Sequence, residues 1–119
     1  MVRILVVDDE ESICETLTWL LEKGGHKVTT AMTLTNAKEI IKTEEFEIYF
    51  IDLVLPGGNG IELIKLIRDL KKQGVVIIIT GYPNIPTLVD SIRLDTYDYI
   101  KKPINKENLE KIVNQALSR

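Results

Sequence analysis

The chain has 119 residues, 45% apolar and 28% charged, with a net charge of −3, which predicts one soluble domain over residues 1–119 and excludes a disordered chain. No apolar run approaches the roughly 20 residues of a membrane span, no basic-then-apolar signal segment opens the chain, and the acidic balance does not favour nucleic acid or an anionic membrane. Its single cysteine, Cys14, cannot close an internal disulfide, so the expected setting is reducing and cytoplasmic.

The first predicted element is the apolar run at residues 4–7, a continuous stretch of Ile, Leu and Val typical of a strand covered on both faces. It runs directly into Asp8-Asp9-Glu10-Glu11, four acids in a row whose mutual repulsion calls for a positive partner. Glu10 and Glu11 read as complements to the positive end of the following helix. In that helix Ile13, Leu17, Leu20 and Leu21 share one stripe ending at Gly24-Gly25. Cys14 reads as an inert residue near that stripe, Trp19 as partly packed and His26 as a surface side chain.

A weaker strand is predicted over 27–31, then a short helical stripe at Ala37, Ile40 and Ile41. The apolar run at 48–51 is the next strand, and it delivers Asp52. Ile61, Ile64, Ile67 and Leu70 mark a third helix stopped near Gly74, with Arg68, Lys71 and Lys72 on its solvated face. The run at 75–79 delivers Thr80. Leu88, Val89 and Ile92 mark a fourth helix, capped by Asn84 with Pro86 in its first turn. A weak strand over 97–101 delivers Lys102-Pro103, and Leu109, Ile112, Val113, Ala116 and Leu117 form the last stripe, opened by Asn105.

Strands alternating with helices imply an α/β fold, a parallel sheet with helices on both faces. In such sheets ligands sit beyond the carboxyl ends of the strands. Asp8, Asp9, Asp52, Thr80 and Lys102 all follow strands, so three carboxylates, a hydroxyl and an ammonium are expected on one edge. Carboxylates about 5 Å apart repel by roughly 3 kcal/mol per pair at an effective dielectric near 20. A hard divalent cation such as Mg²⁺ relieves that repulsion with one or two carboxylates, waters and a phosphoryl oxygen. A carboxylate can itself be the nucleophile and become an aspartyl phosphate, with Lys102 and Thr80 holding the remaining phosphoryl oxygens.

At this point the chain resembles the receiver domain of two-component response regulators over essentially its whole length. The motifs are Val7-Asp8-Asp9-Glu10, Asp52-Leu53-Val54-Leu55-Pro56 with Gly60 further on, Thr80-Gly81, and Tyr99-Ile100-Lys101-Lys102-Pro103. The resemblance implies a doubly wound, flavodoxin-like sheet of order 2-1-3-4-5 with five helices. It implies that Asp52 accepts a phosphoryl group from a phosphohistidine on a partner sensor histidine kinase. Asp9 and Asp52 would bind the metal by side chain, Asp8 mainly through water and Val54 by its backbone carbonyl. Lys102 would pair with the phosphoryl group, next to a Lys102–Pro103 bond that is cis in the family. Thr80 and Tyr99 would be the switch pair, reporting to the face made by the fourth helix, fifth strand and fifth helix, where a homodimer is plausible.

The chain departs from the family at Asp95-Thr96, where a Gly-Ala pair is usual. Val54 and Tyr82, two positions after Asp52 and Thr80, carry no amide or carboxylate to orient an attacking water, which predicts slow self-dephosphorylation. The chain is expected to modify itself without being a turnover enzyme and not to contact nucleic acid directly. Thr80-Gly81-Tyr82-Pro83 and the segment 91–94 look similar to receivers attached to ATPase-type transcription activators, so an output domain beyond residue 119 is one expectation and a stand-alone receiver the other. Three alternatives make different demands. A flavodoxin-type carrier would place phosphate against Asp8-Asp9-Glu10-Glu11, and a haloacid-dehalogenase-type phosphatase needs an acid where Val54 stands. A receiver-like interaction domain that is never phosphorylated would have no use for the acids and Lys102.

Overall fold

A computed structural model of the chain describes residues 2–81 and 98–118. The segment of the predicted fourth helix, with Asn84, Pro86, Leu88, Val89 and Ile92, lies outside the described residues, as do Tyr82, Asp95-Thr96 and residues 91–94. The principal sheet has five parallel strands, β1 (Arg3–Val7), β2 (Lys27–Ala31), β3 (Ile48–Asp52), β6 (Val75–Thr80) and β7 (Asp98–Lys101), in the order β2-β1-β3-β6-β7. This is the expected 2-1-3-4-5 order. Between β3 and β6 the structure adds a small antiparallel hairpin, β4 (Val54–Leu55) and β5 (Gly58–Asn59), which periodicity did not predict. Its turn is Pro56-Gly57, with Gly57 at φ 86°, the left-handed value demanded at the third position of a type II turn.

Both faces of the sheet are buried because successive strand residues point to opposite sides. On one face Leu5, Val7, Tyr49, Ile51, Val76 and Ile78 pack with α2 (Leu34–Thr43) and α3 (Ile61–Asp69). On the other, Ile4, Val6, Ile48, Phe50, Ile77 and Ile79 pack with α1 (Glu11–Lys23) and the C-terminal helix α4 (Lys106–Leu117). The helix starts follow their chemistry. Thr33 accepts from Asn36 N–H at 3.1 Å, and Asn105 accepts from Asn108 N–H at 2.8 Å, each satisfying a donor the helix leaves unpaired.

Several expectations are corrected. Trp19 stands 62% exposed with the Lys23 ammonium 4.7 Å over its ring, because α1 buries Cys14, Leu17 and Leu21 instead. Leu117 is likewise exposed at the end of its stripe. The third helix stops at Asp69 rather than near Gly74, since Lys71 adopts φ 58°. Gly74 serves close packing: a Cβ there would lie 2.4 Å from the Phe46 carbonyl oxygen. Arg68 and Lys72 are not a solvated face. Arg68 Nη1 donates to the Lys72 and Gly74 carbonyls, and Lys72 Nζ pairs with Glu45 at 3.0 Å. His26 is half-buried and accepts from Val2 N–H at 3.4 Å.

Candidate functional site

The sheet order brings the acidic residues together. β1 and β3 are neighbours with Val7 opposite Ile51, so Asp8, the first residue past β1, meets Asp52, the last of β3. The Asp8 N–H donates to the Ala31 carbonyl at 3.1 Å, which fixes the point where the chain leaves the sheet. Asp8 is fully buried and Asp52 is 4% exposed, whereas Asp9 is exposed. Each of the three offers a carboxylate oxygen, and these oxygens lie within 4.8 Å of one another. Gly60 permits the arrangement from below: a Cβ there would lie 2.3 Å from the Asp52 carbonyl oxygen and 2.7 Å from Ile51 Cγ2. No residue with a side chain could bring the start of α3 so near the end of β3.

Lys102, just past β7, reaches across to this corner. Its Nζ lies 3.1 Å from Asp8 Oδ2, 3.2 Å from Asp52 Oδ2 and 2.8 Å from Glu10 Oε1. Burial alone would lower the Lys102 pKa, but its contacts with the Glu10 and Asp8 carboxylates and the charge of Asp52 hold it above its usual range, so the ammonium stays charged. Burial raises Asp8 to about 6, and the Asp52 charge adds to the rise; the Glu10 backbone N–H and Lys102 pull the other way. The Lys102–Pro103 bond is cis. Glu10 was read as a helix complement only, and its place on Lys102 is a correction. The contact joins residues 92 positions apart, and no local pattern reports it.

Each buried carboxylate has one oxygen tied to backbone. Asp8 Oδ1 accepts from Glu10 N–H at 2.9 Å, and Asp52 Oδ1 from Val54 N–H at 3.0 Å. Asp8 Oδ2 is buried with no aligned hydrogen bond; Lys102 is close enough for charge attraction but not along a donor direction. A buried oxygen left this way is costly without a further partner. An all-oxygen donor set with a bare carboxylate oxygen suits a hard cation.

Of the other predicted residues, Thr80 and Val54 stand at strand ends beside the acids, whereas Tyr99 lies within β7 opposite Ile78. Thr80 ends β6 opposite Lys101; its side chain lies outside what is described. The Val54 side chain is 61% exposed beside the acids, and Tyr99 is 45% exposed on β7. Cys14 Sγ donates to the Asp8 carbonyl at 3.3 Å, and burial with the nearby Asp8 charge raises its thiol to about 11. A thiol so reluctant to ionise is a poor nucleophile, in keeping with an inert role.

Comparison with known proteins agrees with this architecture. The family model of the response regulator receiver domain matches residues 4–114. The chain is 35% identical over 107 residues to the alginate biosynthesis transcriptional regulatory protein AlgB of Pseudomonas putida, covering 90% of this chain and 24% of that protein. It thus spans about a quarter of the length of that relative. A crystal structure of a two-component response regulator from Clostridium difficile superposes with TM-score 0.93 at 25% identity, covering 100% of this chain and 98% of that one. The BeF3-activated DrrB receiver domain superposes with TM-score 0.87 at 27% identity, covering 100% and 99%.

Proposed function

This chain belongs to the response regulator receiver domain family, and on that premise we propose that it is a signalling switch whose phosphoacceptor is Asp52. The observation that carries the proposal is the convergence on one ammonium. Lys102 Nζ stands 3.2 Å from Asp52 Oδ2, where oxygens of Asp8, Asp9 and Asp52 crowd within 4.8 Å. In the reaction an Asp52 carboxylate oxygen attacks the phosphorus of a phosphohistidine on a partner sensor histidine kinase. An O–P bond forms as the N–P bond breaks, and the imidazole nitrogen leaves with the electron pair. The Val54 N–H fixes the Asp52 carboxylate plane, so the nucleophile is oriented before the donor arrives. Lys102 stabilises the charge that gathers on the phosphoryl oxygens.

The donor set fits Mg²⁺; the Asp9 and Asp52 side chains and the Val54 carbonyl would hold it, with Asp8 contributing through water. Bound there, Mg²⁺ supplies the positive charge that lets an anionic phosphoryl group approach a carboxylate. Thr80 would hydrogen-bond the product and Tyr99 would turn inward from its exposed position, shifting the balance between two conformers. The output is a changed surface, read by a homodimer partner or by an output domain beyond residue 119, in the cytoplasm. The relative AlgB is by name a transcriptional regulator, so control of transcription is the proposed process. The chain modifies itself and is not a turnover enzyme.

Incubation with acetyl phosphate and Mg²⁺ tests the reading by intact mass. The parent should gain one phosphoryl group, while Asp52→Asn and the parent with chelator should gain none. Equal modification of Asp52→Asn would show that the acceptor lies elsewhere. The apolar Val54 side chain offers nothing to orient water, so the phosphorylated protein should outlast a few seconds without a phosphatase, as followed by the same mass measurement.

A further inference from the structure

Glu10 occupies the helix-capping position of α1 without capping it. Its backbone is extended, at φ −88° and ψ 113°, and its side chain makes no cap hydrogen bond. Its backbone is nevertheless pinned: the N–H donates to Asp8 Oδ1, and the carbonyl accepts from the Ile13 and Cys14 N–H groups at 3.1 and 3.2 Å. The carboxylate is left to reach over the site to Lys102, at 2.8 Å the shortest of the three contacts that ammonium makes. The Glu10 side chain is 54% exposed, against 0% and 6% for Asp8 and Asp52.

An ammonium has three donors; here Lys102 hydrogen-bonds Glu10 and Asp52 and is held against the buried Asp8 Oδ2 by charge. A phosphoryl group arriving on Asp52 needs one of those donors. Pulling Lys102 from a buried carboxylate leaves an uncompensated buried charge, whereas releasing an exposed one returns it to water at little cost. We propose that Glu10 is a displaceable placeholder on Lys102, a positioning residue that holds the ammonium until the phosphoryl group takes its place. The proposal rests on Asp52 being the phosphoacceptor and adds a competition at that site. Glu10 raises the attraction of the corner for a cation and lowers its affinity for the anion that must follow. A merely structural residue would shift both in one direction.

The test compares the parent, Glu10→Gln and Glu11→Gln, the last losing an equal charge from the first turn of α1. Calorimetry measures Mg²⁺ alone, and fluorine NMR measures beryllium trifluoride at saturating Mg²⁺. Glu10→Gln should bind Mg²⁺ about two- to fivefold more weakly and the anion about two- to fivefold more tightly. In about 0.15 M salt, screening should keep Glu11→Gln within roughly 1.5-fold of the parent in both. If the parent binds the anion and Glu10→Gln binds it equally or more weakly, or if Glu11→Gln matches Glu10→Gln, the placeholder role is wrong. A parent that takes no beryllium trifluoride at all would remove the phosphoacceptor reading itself, and the competition with it.

Discussion

At the side chain of Asp8, burial and the neighbouring Asp52 carboxylate both oppose ionisation, and hydrogen bonding to Glu10 N–H and the Lys102 charge only partly offset them. An acid that ordinarily titrates near 3.8 is therefore raised to about 6. Between those values the folded protein keeps a proton that the unfolded chain has released. The stability linked to that proton is complete below the unfolded pKa and is lost as pH rises through the folded one. Asp8→Asn keeps an oxygen for the Glu10 N–H while removing the charge. In chelator at pH 7.5 it should be more stable than the parent by on the order of 1–3 kcal/mol, a gap that closes toward pH 4 in urea titrations. Mg²⁺ should stabilise the parent and do less for the variant; a gap that is flat with pH would show that Asp8 carries no such strain. Asp8, Asp9, Asp52 and Lys102 were legible in the sequence because each follows a strand, and strand ends share an edge. Glu10 was not, because its partner is set by how far Lys102 reaches across β6.

The elements carry the site through their ends, and two glycines of one loop separate packing from backbone conformation. At Gly60 a Cβ would strike the Asp52 carbonyl, while at Gly57 nothing stands within 4 Å but φ is 86°. Gly60→Ala should therefore cost about 1–3 kcal/mol by overpacking and weaken Mg²⁺ about tenfold by shifting a ligand's support. Gly57→Ala should cost about 1–2 kcal/mol of backbone strain and leave Mg²⁺ affinity near the parent's. Calorimetric Mg²⁺ titration with thermal melts distinguishes the two, and equal loss of affinity would mean that the hairpin as a whole holds the ligands. Two-residue strands have no periodicity to read, so only the Pro56-Gly57 pair signalled this hairpin. The end of α3 was misplaced for a related reason: Gly74 looked like a helix stop, but its lack of a Cβ is required by Phe46 and Tyr49, residues of another part of the chain.

Across the whole molecule, the sheet divides the interior into two separate cores, one under α2 and α3 and one under α1 and α4. Substitutions on opposite faces share no partners and should add. Leu17→Ala on one face should cost about 2–5 kcal/mol and Ile64→Val on the other about 0.5–1.5. The double variant should fall within about 0.5 kcal/mol of their sum in urea denaturation. A larger coupling would mean that the sheet transmits strain between its faces. The two-core architecture was visible in advance, since strands that are apolar at consecutive positions have to be covered on both sides.

The amino-acid order by itself determined the alternation of strands and helices, the burial of both sheet faces and the set of acids and lysine that end those strands, because periodicity and strand-end position are local properties of the chain. It did not determine that Trp19 and Leu117 stay exposed, that Gly60 lies against Asp52, or that Glu10 shares an ammonium with Asp8 and Asp52. Those were decided by the tertiary structure. A contact between distant residues depends on the register and separation of packed elements, and a short-range pattern carries no information about either.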